Sequence, residues 1–290
     1  MRTLLHISDV HFGPKHLEDR AAAVLALIRE GTPDYVVISG DLTQRAKPEQ
    51  FAAARRFVES IPCPTLAVPG NHDVPLYRFW ERLLLPFGAW RRHFSPHLEP
   101  HLIDDQVCLV GVNTAFARTL TGGRITRAQS KRVRDLFAAA PPSCYRVAVI
   151  HHNLVKPADL GDVPAPLRGS VPAVTALASS GVEMVLSGHL HQSYVAPLAV
   201  AGDDHGGVIL CAGTTTSSRG RGAEAGLSTC HWIEIHDDQA QVLFYRWDPE
   251  ASSFVETGRR SFPRRDPRSR APRAPARRRR RRARACTARA

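Results

Sequence analysis

The sequence predicts an α/β protein in which helices alternate with parallel strands. Short runs rich in Val, Ile and Leu recur along the chain, as expected of strands that are buried on both faces. Helical stretches separate the first three runs, which favours helices layered against a sheet. Most of the runs also end in polar side chains that can do chemistry, so the sequence predicts a site along the strand ends.

Six strands and five helices are predicted before residue 190. The strands are Leu4–Ser8, Tyr35–Ser39, Thr65–Val68, Val107–Val112, Arg146–Ile150 and Glu183–Ser187. The helices are His16–Glu30, Glu49–Ser60, Leu76–Phe94, Arg127–Ala139 and Pro172–Ser179. Pro48 suits the start of the second helix, whereas Pro86 and Gly88 are expected to break the third. Four aromatic residues at near-helical spacing in the third helix are predicted to pack in the core; they are Phe79, Trp80, Phe87 and Trp90.

The pattern changes after residue 206, where strands follow one another without helices. The predicted strands are Val208–Cys211, His231–Ile235 and Val242–Trp247. A loop at Asp237-Asp238 between the last two predicts a hairpin, so this part of the domain is expected to be antiparallel. The Gly-, Arg- and Ser-rich stretch from Ser217 to Gly226 is predicted to be a mobile loop.

Charge divides the chain into a predicted folded domain, residues 1–258, and an Arg-rich tail, residues 259–290. The net charge is +12, but the tail holds 15 Arg and one acid, while residues 1–258 carry 24 basic and 26 acidic residues. The tail has almost no large apolar side chain and is expected to be disordered. The six consecutive arginines Arg277–Arg282 favour nonspecific contact with nucleic acid or an anionic surface, and a solvated tail without a partner is the alternative.

Hydropathy and cysteine usage exclude some classes of protein. The longest apolar run, Ala21–Ile28, is far shorter than the ~20 residues of a membrane helix, so no integral membrane segment is expected. The N-terminal residues fit a first strand better than a signal peptide. The six cysteines form no CxxC pair, which is typical of reduced thiols, and a cytoplasmic location is predicted.

Five short polar motifs lie at or just beyond predicted strand ends. They are Asp9-Val10-His11, Gly40-Asp41, Gly70-Asn71-His72-Asp73, His151-His152 and Gly188-His189-Leu190-His191. Their oxygen and imidazole donors, without a thiolate, suit Mn, Fe, Zn or Co. Seven candidate ligands are too many for one ion with an open position, so two divalent ions are predicted. The seven are Asp9, His11, Asp41, Asn71, His151, His189 and His191.

The spacing of the motifs supports a shared site. Asp9 and His11 are two residues apart, so on a continuing strand they point to the same side. Asp41 and Asn71 follow the second and third strands, and ligand sites in α/β sheets lie beyond the carboxyl ends of strands. A single DxH or HxH pair is more often a surface or hydrogen-bonding pair, but five such motifs in order are hard to explain as core filling.

The ordered set of motifs resembles the calcineurin-like metallophosphoesterase superfamily. The segments Ile7–Phe12 and Gly40–Thr43 look most like its bacterial cyclic-nucleotide phosphodiesterase-like branch, also called class III. The resemblance covers about residues 1–250. It implies a four-layer αββα sandwich with a binuclear metal centre at the strand ends, between the two sheets.

The resemblance also implies a role for each motif residue. Asp9, His11 and His191 would hold one metal, Asn71, His151 and His189 would hold the other, and Asp41 would bridge the two. His72 would be a catalytic histidine that contacts the phosphate and protonates the leaving oxygen. Asp73 would orient His72, or would simply cap the loop. His152 would either contact substrate or pack as an ordinary histidine.

These features predict an enzyme that hydrolyses a small phosphodiester through a metal-activated hydroxide, with 3′,5′-cyclic nucleotides as one candidate class. Where related protein phosphatases have GDxxDRG, this chain has Gln44 at the fifth position, which disfavours a phosphoprotein phosphatase. The alternatives on the same centre are a nuclease, a phosphomonoesterase and a lipid-linked phosphate hydrolase. A catalytically idle binding protein is the alternative outside enzymes, although no predicted ligand is missing.

Overall fold

The computed structural model describes residues 1–157, 160–161, 163–200 and 203–264. The helices are α1 Glu18–Gly31, α2 Pro48–Glu59, α3 Phe79–Leu84, α4 Gly88–His93, α5 Arg127–Ala139 and α6 Ser170–Ser179. The first seven strands are β1 Arg2–Ile7, β2 Tyr35–Ile38, β3 Thr65–Ala67, β4 His101–Ile103, β5 Val107–Gly111, β6 Tyr145–Val149 and β7 Met184–Ser187. The remaining strands are β8 Tyr194–Val200, β9 Asp203–Cys211, β10 Thr229–Ile235, β11 Gln239–Asp248 and β12 Ser253–Pro263.

The strands form two six-stranded sheets, each of which contains both parallel and antiparallel pairs. The first sheet has the order β12-β11-β10-β1-β2-β3, and the second has the order β4-β5-β6-β7-β9-β8. Strands β1, β2 and β3 are parallel, as are β5, β6, β7 and β9. This arrangement brings the carboxyl ends of the central strands in each sheet to one edge.

Three apolar layers hold the sheets and helices together as a four-layer αββα sandwich. Side chains such as Leu4 and Val37 of the first sheet meet Val147 and Leu186 of the second in the central layer. Alternate residues of the same strands face outward, where the first sheet packs on α1, α2 and α4 and the second packs on α5 and α6. The fold class that the sequence predicts, an α/β sandwich of two sheets, is therefore confirmed.

Several predicted elements have the expected form. The third helix is broken into α3 and α4, as Pro86 and Gly88 predict. Strands β10 and β11 are an antiparallel hairpin across Asp237-Asp238. The described strands that the sequence does not predict are β4, which has three residues, β8, where Pro197 weakens the strand pattern, and β12, whose residues are mostly exposed. The five cysteines in the described part of the chain are free, and none of the described helices is long and apolar enough to cross a membrane.

Three expectations need correction or comment. The predicted domain boundary at residue 258 falls inside β12, because backbone pairing with β11 continues to Pro263. The rest of the predicted tail, from residue 265, lies outside the described residues. Trp90 is buried, as predicted, but Phe79 and Trp80 are exposed, because α3 turns them away from the core. The stretch predicted as a mobile loop, Ser217–Gly226, is attached to the strand ends by backbone hydrogen bonds.

Candidate metal centre

All seven predicted ligands lie just beyond carboxyl ends of strands, and the two sheets contribute to one cluster. The first sheet supplies Asp9 and His11 after β1, Asp41 after β2 and Asn71 after β3. The second sheet supplies His151 after β6, and His189 and His191 after β7. All seven side chains are buried. The site therefore depends on the packing of the two sheets and not on one sheet alone.

The backbone at this edge adopts an uncommon conformation. Of the eight described non-glycine residues with positive φ, five are predicted ligands. Their φ angles lie between 51° and 74°, and they are Asp9, His11, Asp41, His189 and His191. A non-glycine residue in the left-handed region costs about 1–3 kcal/mol and persists only where its surroundings impose it. The strain indicates that the side chains are aimed at a shared point.

Glycines beside the ligands leave room for this crowding. A Cβ at Gly188 would collide with Ser8 Oγ and Asp9 Oδ2, and a Cβ at Gly70 would collide with Asp41 Oδ1. A Cβ at Gly40, whose φ is +103°, would come within 2.5 Å of His151 Nδ1. Two of these glycines are thus required by close approach and not by a left-handed turn.

The first cluster joins Asp9, His11, Asp41 and His191, whose donor atoms all lie within 4.8 Å of one another. Asp9 Oδ1 is 3.0 Å from His191 Nε2 and 3.6 Å from His11 Nε2. Asp41 Oδ2 is 3.8 Å from His11 Nε2. These four residues are the set that the resemblance assigns to one metal together with the bridging carboxylate.

The second cluster lies on the other side of Asp41. His151 Nε2 is 3.4 Å from Asp41 Oδ2 and 3.2 Å from Asn71 Oδ1. The ring of His189 lies 5.1 Å from that of His151, measured between centroids. Asp41 therefore stands between the two clusters, in the position that a bridging carboxylate requires.

Backbone carbonyl oxygens fix the orientation of three histidine rings. His191 Nδ1 donates to the carbonyl of Arg219 at 2.9 Å, and His151 Nδ1 donates to the carbonyl of Ser39 at 2.8 Å. His72 Nδ1 donates to the carbonyl of Gln44 at 2.7 Å. A ring whose Nδ1 donates in this way points its Nε2 toward the site.

Protonation states in the cluster suit cation binding. Burial alone would raise the pKa of Asp41, but the nearby histidines, His151 foremost, hold it well below its ordinary value. Asp9 behaves in the same way, with His191 as its main positive neighbour. Burial lowers the pKa of His11 to about 4 and that of His189 to about 3. Burial also acts on His151, but Asp41 outweighs it and raises the pKa of that ring to about 9. The two ionised carboxylates therefore draw positive charge into the cluster.

The donors fit a pair of divalent cations. Asp9 Oδ1 and Asp41 Oδ2 are buried and have no hydrogen-bond partner among the described residues. His191 Nδ1 is engaged with the carbonyl of Arg219, and its Nε2 lies 3.0 Å from both Asp9 Oδ1 and His11 Nε2. Buried carboxylate oxygens without a hydrogen-bond partner are costly unless a positive charge lies beside them. Oxygen and imidazole donors without thiolates suit Mn, Fe, Zn or Co.

The prediction that Asp73 orients His72 is wrong. The His72 ring is held by the carbonyl of Gln44, and Asp73 accepts backbone N–H bonds from Leu42, Thr43 and Gly70 at 2.8–3.2 Å. Asp73 therefore caps the loop, as the alternative interpretation holds, because three N–H groups converge on its carboxylate. His72 itself lies beside the first cluster, with its ring 5.0 Å from that of His11.

His152 lies beside the second cluster, with a ring nitrogen within 4.8 Å of donor atoms of His151 and His189. Its backbone N–H and its Nδ1 both hydrogen-bond with Thr114 Oγ, and its ring lies 4.6 Å from that of His189. A Cβ at Gly123 would collide with the same ring. These contacts favour the packed-histidine interpretation, in which His152 supports His189.

Arg219 is a site residue that sequence analysis misses. Its Nη2 lies 3.4 Å from His72 Nε2, and its carbonyl holds His191. Burial lowers the pKa of Arg219, while Asp41 and Asp9 raise it, so the guanidinium lies close enough to sense both carboxylates. The only signal in the sequence is an Arg-Gly-Arg in a loop without periodicity, which does not indicate that the loop reaches the strand ends.

A sequence model of one family, described as calcineurin-like phosphoesterase, matches residues 2–193. This chain belongs to the calcineurin-like phosphoesterase family. The matched residues include all seven predicted ligands and His72. The resemblance that the ordered motifs indicate is thereby confirmed, and phosphoester hydrolysis is the chemistry for which the family is named.

Two curated relatives have names that refer to cyclic nucleotides. A cAMP/cGMP dual specificity phosphodiesterase of Mycobacterium tuberculosis is 25% identical over 259 residues, which are 81% of this chain and 76% of the relative. A probable cyclic nucleotide phosphodiesterase of Synechococcus is 41% identical over 56 residues. That match covers 19% of this chain and spans 22% of the relative's length.

Two solved structures share the fold of this calcineurin-like phosphoesterase. Purple acid phosphatase PPD1 from yellow lupin matches with a TM-score of 0.69 and 12% identity, covering 91% of this chain and 54% of that one. A dimetal phosphatase from Danio rerio matches with a TM-score of 0.62 and 10% identity, covering 90% and 98%. At these identities the likeness concerns the two-sheet architecture alone.

Proposed function

We propose that this chain is a metal-dependent phosphodiesterase that acts on small phosphodiesters, with 3′,5′-cyclic nucleotides as the leading candidate class. One observation carries the proposal. Two buried carboxylates, an amide and four histidines from both sheets converge around Asp41 in two adjoining clusters. The cyclic-nucleotide names of two relatives, one of which aligns over 81% of this chain, support the choice of substrate class.

We assign the ligands by cluster. Asp9, His11 and His191 would hold one divalent ion, and Asn71, His151 and His189 would hold the other. Asp41, which lies between the clusters, would contact both. Such a pair supplies a water of lowered pKa and positive charge against the phosphoryl oxygens, as in-line displacement at phosphorus requires. Manganese and iron are the ions we expect.

His72 is assigned as the proton donor to the leaving oxygen. Its Nδ1 is committed to the carbonyl of Gln44, so only Nε2 can deliver a proton into the site. The donating form is therefore the imidazolium, in which both nitrogens carry protons. Burial lowers the pKa of His72, so the proton is readily given up once it is on the ring.

Arg219 is assigned to the phosphoryl group. Its guanidinium lies beside His72 Nε2, close to where the leaving oxygen would be. An arginine there can donate two parallel hydrogen bonds to phosphoryl oxygens and neutralise their charge.

The cysteine pattern predicts that the enzyme works in the cytoplasm, and this location stays a prediction.

The first experiment measures hydrolysis of bis(p-nitrophenyl) phosphate and of 3′,5′-cyclic AMP by the purified chain with Mn²⁺. Asp41→Ala removes the bridging carboxylate, so we expect a loss of at least about 10²-fold in kcat/KM on both substrates. Asp237→Ala, in the distant β10–β11 turn, is the matched control. Equal activity of wild type and Asp41→Ala would reject the proposed mechanism.

A further inference from the structure

The segment from Tyr77 to Leu85, which follows His72 along the chain, presents an apolar surface to solvent. It holds six of the ten large apolar residues that are exposed in the described part of the chain, and each is 53–74% exposed. We call these six the apolar patch; they are Tyr77, Phe79, Trp80, Leu83, Leu84 and Leu85. Clustered exposed apolar side chains of this kind mark an interaction surface.

Polar contacts on the inner side of α3 hold the apolar patch outward. Arg82 is buried, and all three of its guanidinium nitrogens donate to backbone carbonyls, including that of Ala117 at 2.7 Å. Arg78 Nη2 donates to the carbonyl of Ala46 at 2.6 Å. Helix α3 thus turns a charged side inward and an apolar side outward, the reverse of an ordinary surface helix. The exposure is fixed by these contacts.

The apolar patch borders the metal centre. Arg82 Nη2 donates to the carbonyl of Thr119, and the carbonyl of the next residue, Leu120, accepts a hydrogen bond from Asn71 Nδ2 at 3.3 Å. The ring of Tyr77 lies 5.9 Å from the guanidinium of Arg45, next to the residue that holds His72. A surface that covers the apolar patch therefore also faces the mouth of the metal centre.

The charge around the patch is positive. Glu81 is the single acidic residue between Asp73 and Glu99, and it pairs with Arg78 at 2.9 Å. Arg45 and Arg118 form no ion pair with any described residue. Basic side chains beside exposed aromatic and leucine side chains complement a surface that is both anionic and apolar.

An anionic bilayer has these properties. Trp and Tyr favour the region between headgroups and acyl chains, Leu and Phe insert below it, and Arg is attracted to anionic headgroups. A second copy of the chain would oppose arginines with arginines, which disfavours self-association through this face. Stacking of nucleobases would use the three aromatic rings and leave the three leucines in water.

We propose that the apolar patch docks this chain on a bilayer that contains anionic phospholipid, with the mouth of the metal centre facing the membrane. The docking does not depend on the catalytic proposal, because it uses none of the predicted ligands. It can therefore be tested on the intact chain without measuring activity.

The test uses tryptophan emission, because Trp80 is the one strongly exposed tryptophan of the four. It is 71% exposed, whereas Trp90, Trp232 and Trp247 are buried. The full chain is mixed with vesicles of phosphatidylcholine and phosphatidylglycerol, three parts to one, and with vesicles of phosphatidylcholine alone. We expect a blue shift with the anionic vesicles, and quenching when the phosphatidylcholine is brominated in its acyl chains.

Variants separate the apolar patch from the Arg-rich tail. Leu84→Ser combined with Leu85→Ser removes two exposed apolar side chains, and we expect sedimentation with anionic vesicles to weaken about tenfold. Val171→Ser, at a 75% exposed valine on α6, is the matched control and should sediment like wild type.

Trp80→Phe should still sediment with the anionic vesicles but lose the quenching of tryptophan emission. At about 0.5 M salt, where charge attraction is strongly screened, the blue shift should persist in part.

Three results would overturn the proposal. The first is sedimentation with no change in Trp80 emission, which would assign the binding to the tail. The second is a wild-type dimer that the double leucine variant converts to a monomer in light scattering, which would assign the patch to a second copy. The third is the absence of any emission change with anionic vesicles when single-stranded DNA produces one.

Discussion

At the scale of single residues, the site combines predictable ligands with neighbours that only the fold reveals. The seven ligands could be predicted because their motifs are short and follow strand ends in a recognisable order. Asp73, His152 and Arg219 could not, since their roles depend on which backbone groups the packed sheets bring beside them. Asp73 shows this most clearly, because three N–H groups from two separate loops meet at its carboxylate.

His72→Ala tests the proton donor. A leaving group that is stable as an anion, such as p-nitrophenolate, needs little protonation, whereas a ribose hydroxyl needs it fully. We therefore expect kcat to fall about 10²–10⁴-fold on 3′,5′-cyclic AMP and much less on bis(p-nitrophenyl) phosphate. An equal loss on both substrates would mean that His72 acts in binding and not as an acid. Bound manganese, measured by elemental analysis, should be unchanged.

Arg219→Ala tests the contact with the phosphoryl group. Loss of a charge-assisted hydrogen bond of about 1.5–3 kcal/mol predicts a drop of about 10–100-fold in kcat/KM. Arg219→Lys should recover part of the loss, and inorganic phosphate should inhibit the alanine variant more weakly than wild type. Arg221→Ala, at an exposed position of the same loop, is the control. If both alanine variants behave alike, Arg219 has no special role.

At the scale of elements, the strand ends carry the site because their backbone is strained and crowded. The alternation of strands and helices was sufficient to predict the central parallel strands and the break between α3 and α4. It could not predict that α3 exposes its apolar side, because that orientation is set by backbone carbonyls from distant loops that accept hydrogen bonds from Arg82. It also could not predict where β12 ends, since an edge strand rich in Arg looks like the tail that follows it.

Gly188→Ala tests the crowding at the strand ends. The new Cβ would collide with Ser8 Oγ and Asp9 Oδ2, so we expect a loss of about 1–3 kcal/mol in the free energy of unfolding and weaker retention of manganese. Gly258→Ala is the matched control, because a Cβ there meets nothing within 4 Å. Urea unfolding and elemental analysis give the two readouts. Wild-type stability and metal content in Gly188→Ala would contradict the account.

At the scale of the whole molecule, the metal centre and the last residue of β12 lie at opposite ends of the strands. Pro263 pairs with Gln239 at the start of β11, near the edge where β1 begins, whereas the ligands follow the end of β1. The separation is about 20 Å along β1, at about 3.3 Å per residue. The tail therefore does not start beside the site, which gives no support to a nuclease that depends on the tail.

We propose that residues from both sheets hold two cations around Asp41. The anomalous scattering of manganese, in crystals of the full chain grown with Mn²⁺, locates such ions directly. We expect two peaks roughly 3.5–4 Å apart, one on either side of the Asp41 carboxylate. A single peak, or manganese bound elsewhere while these seven side chains stay without metal, would contradict it.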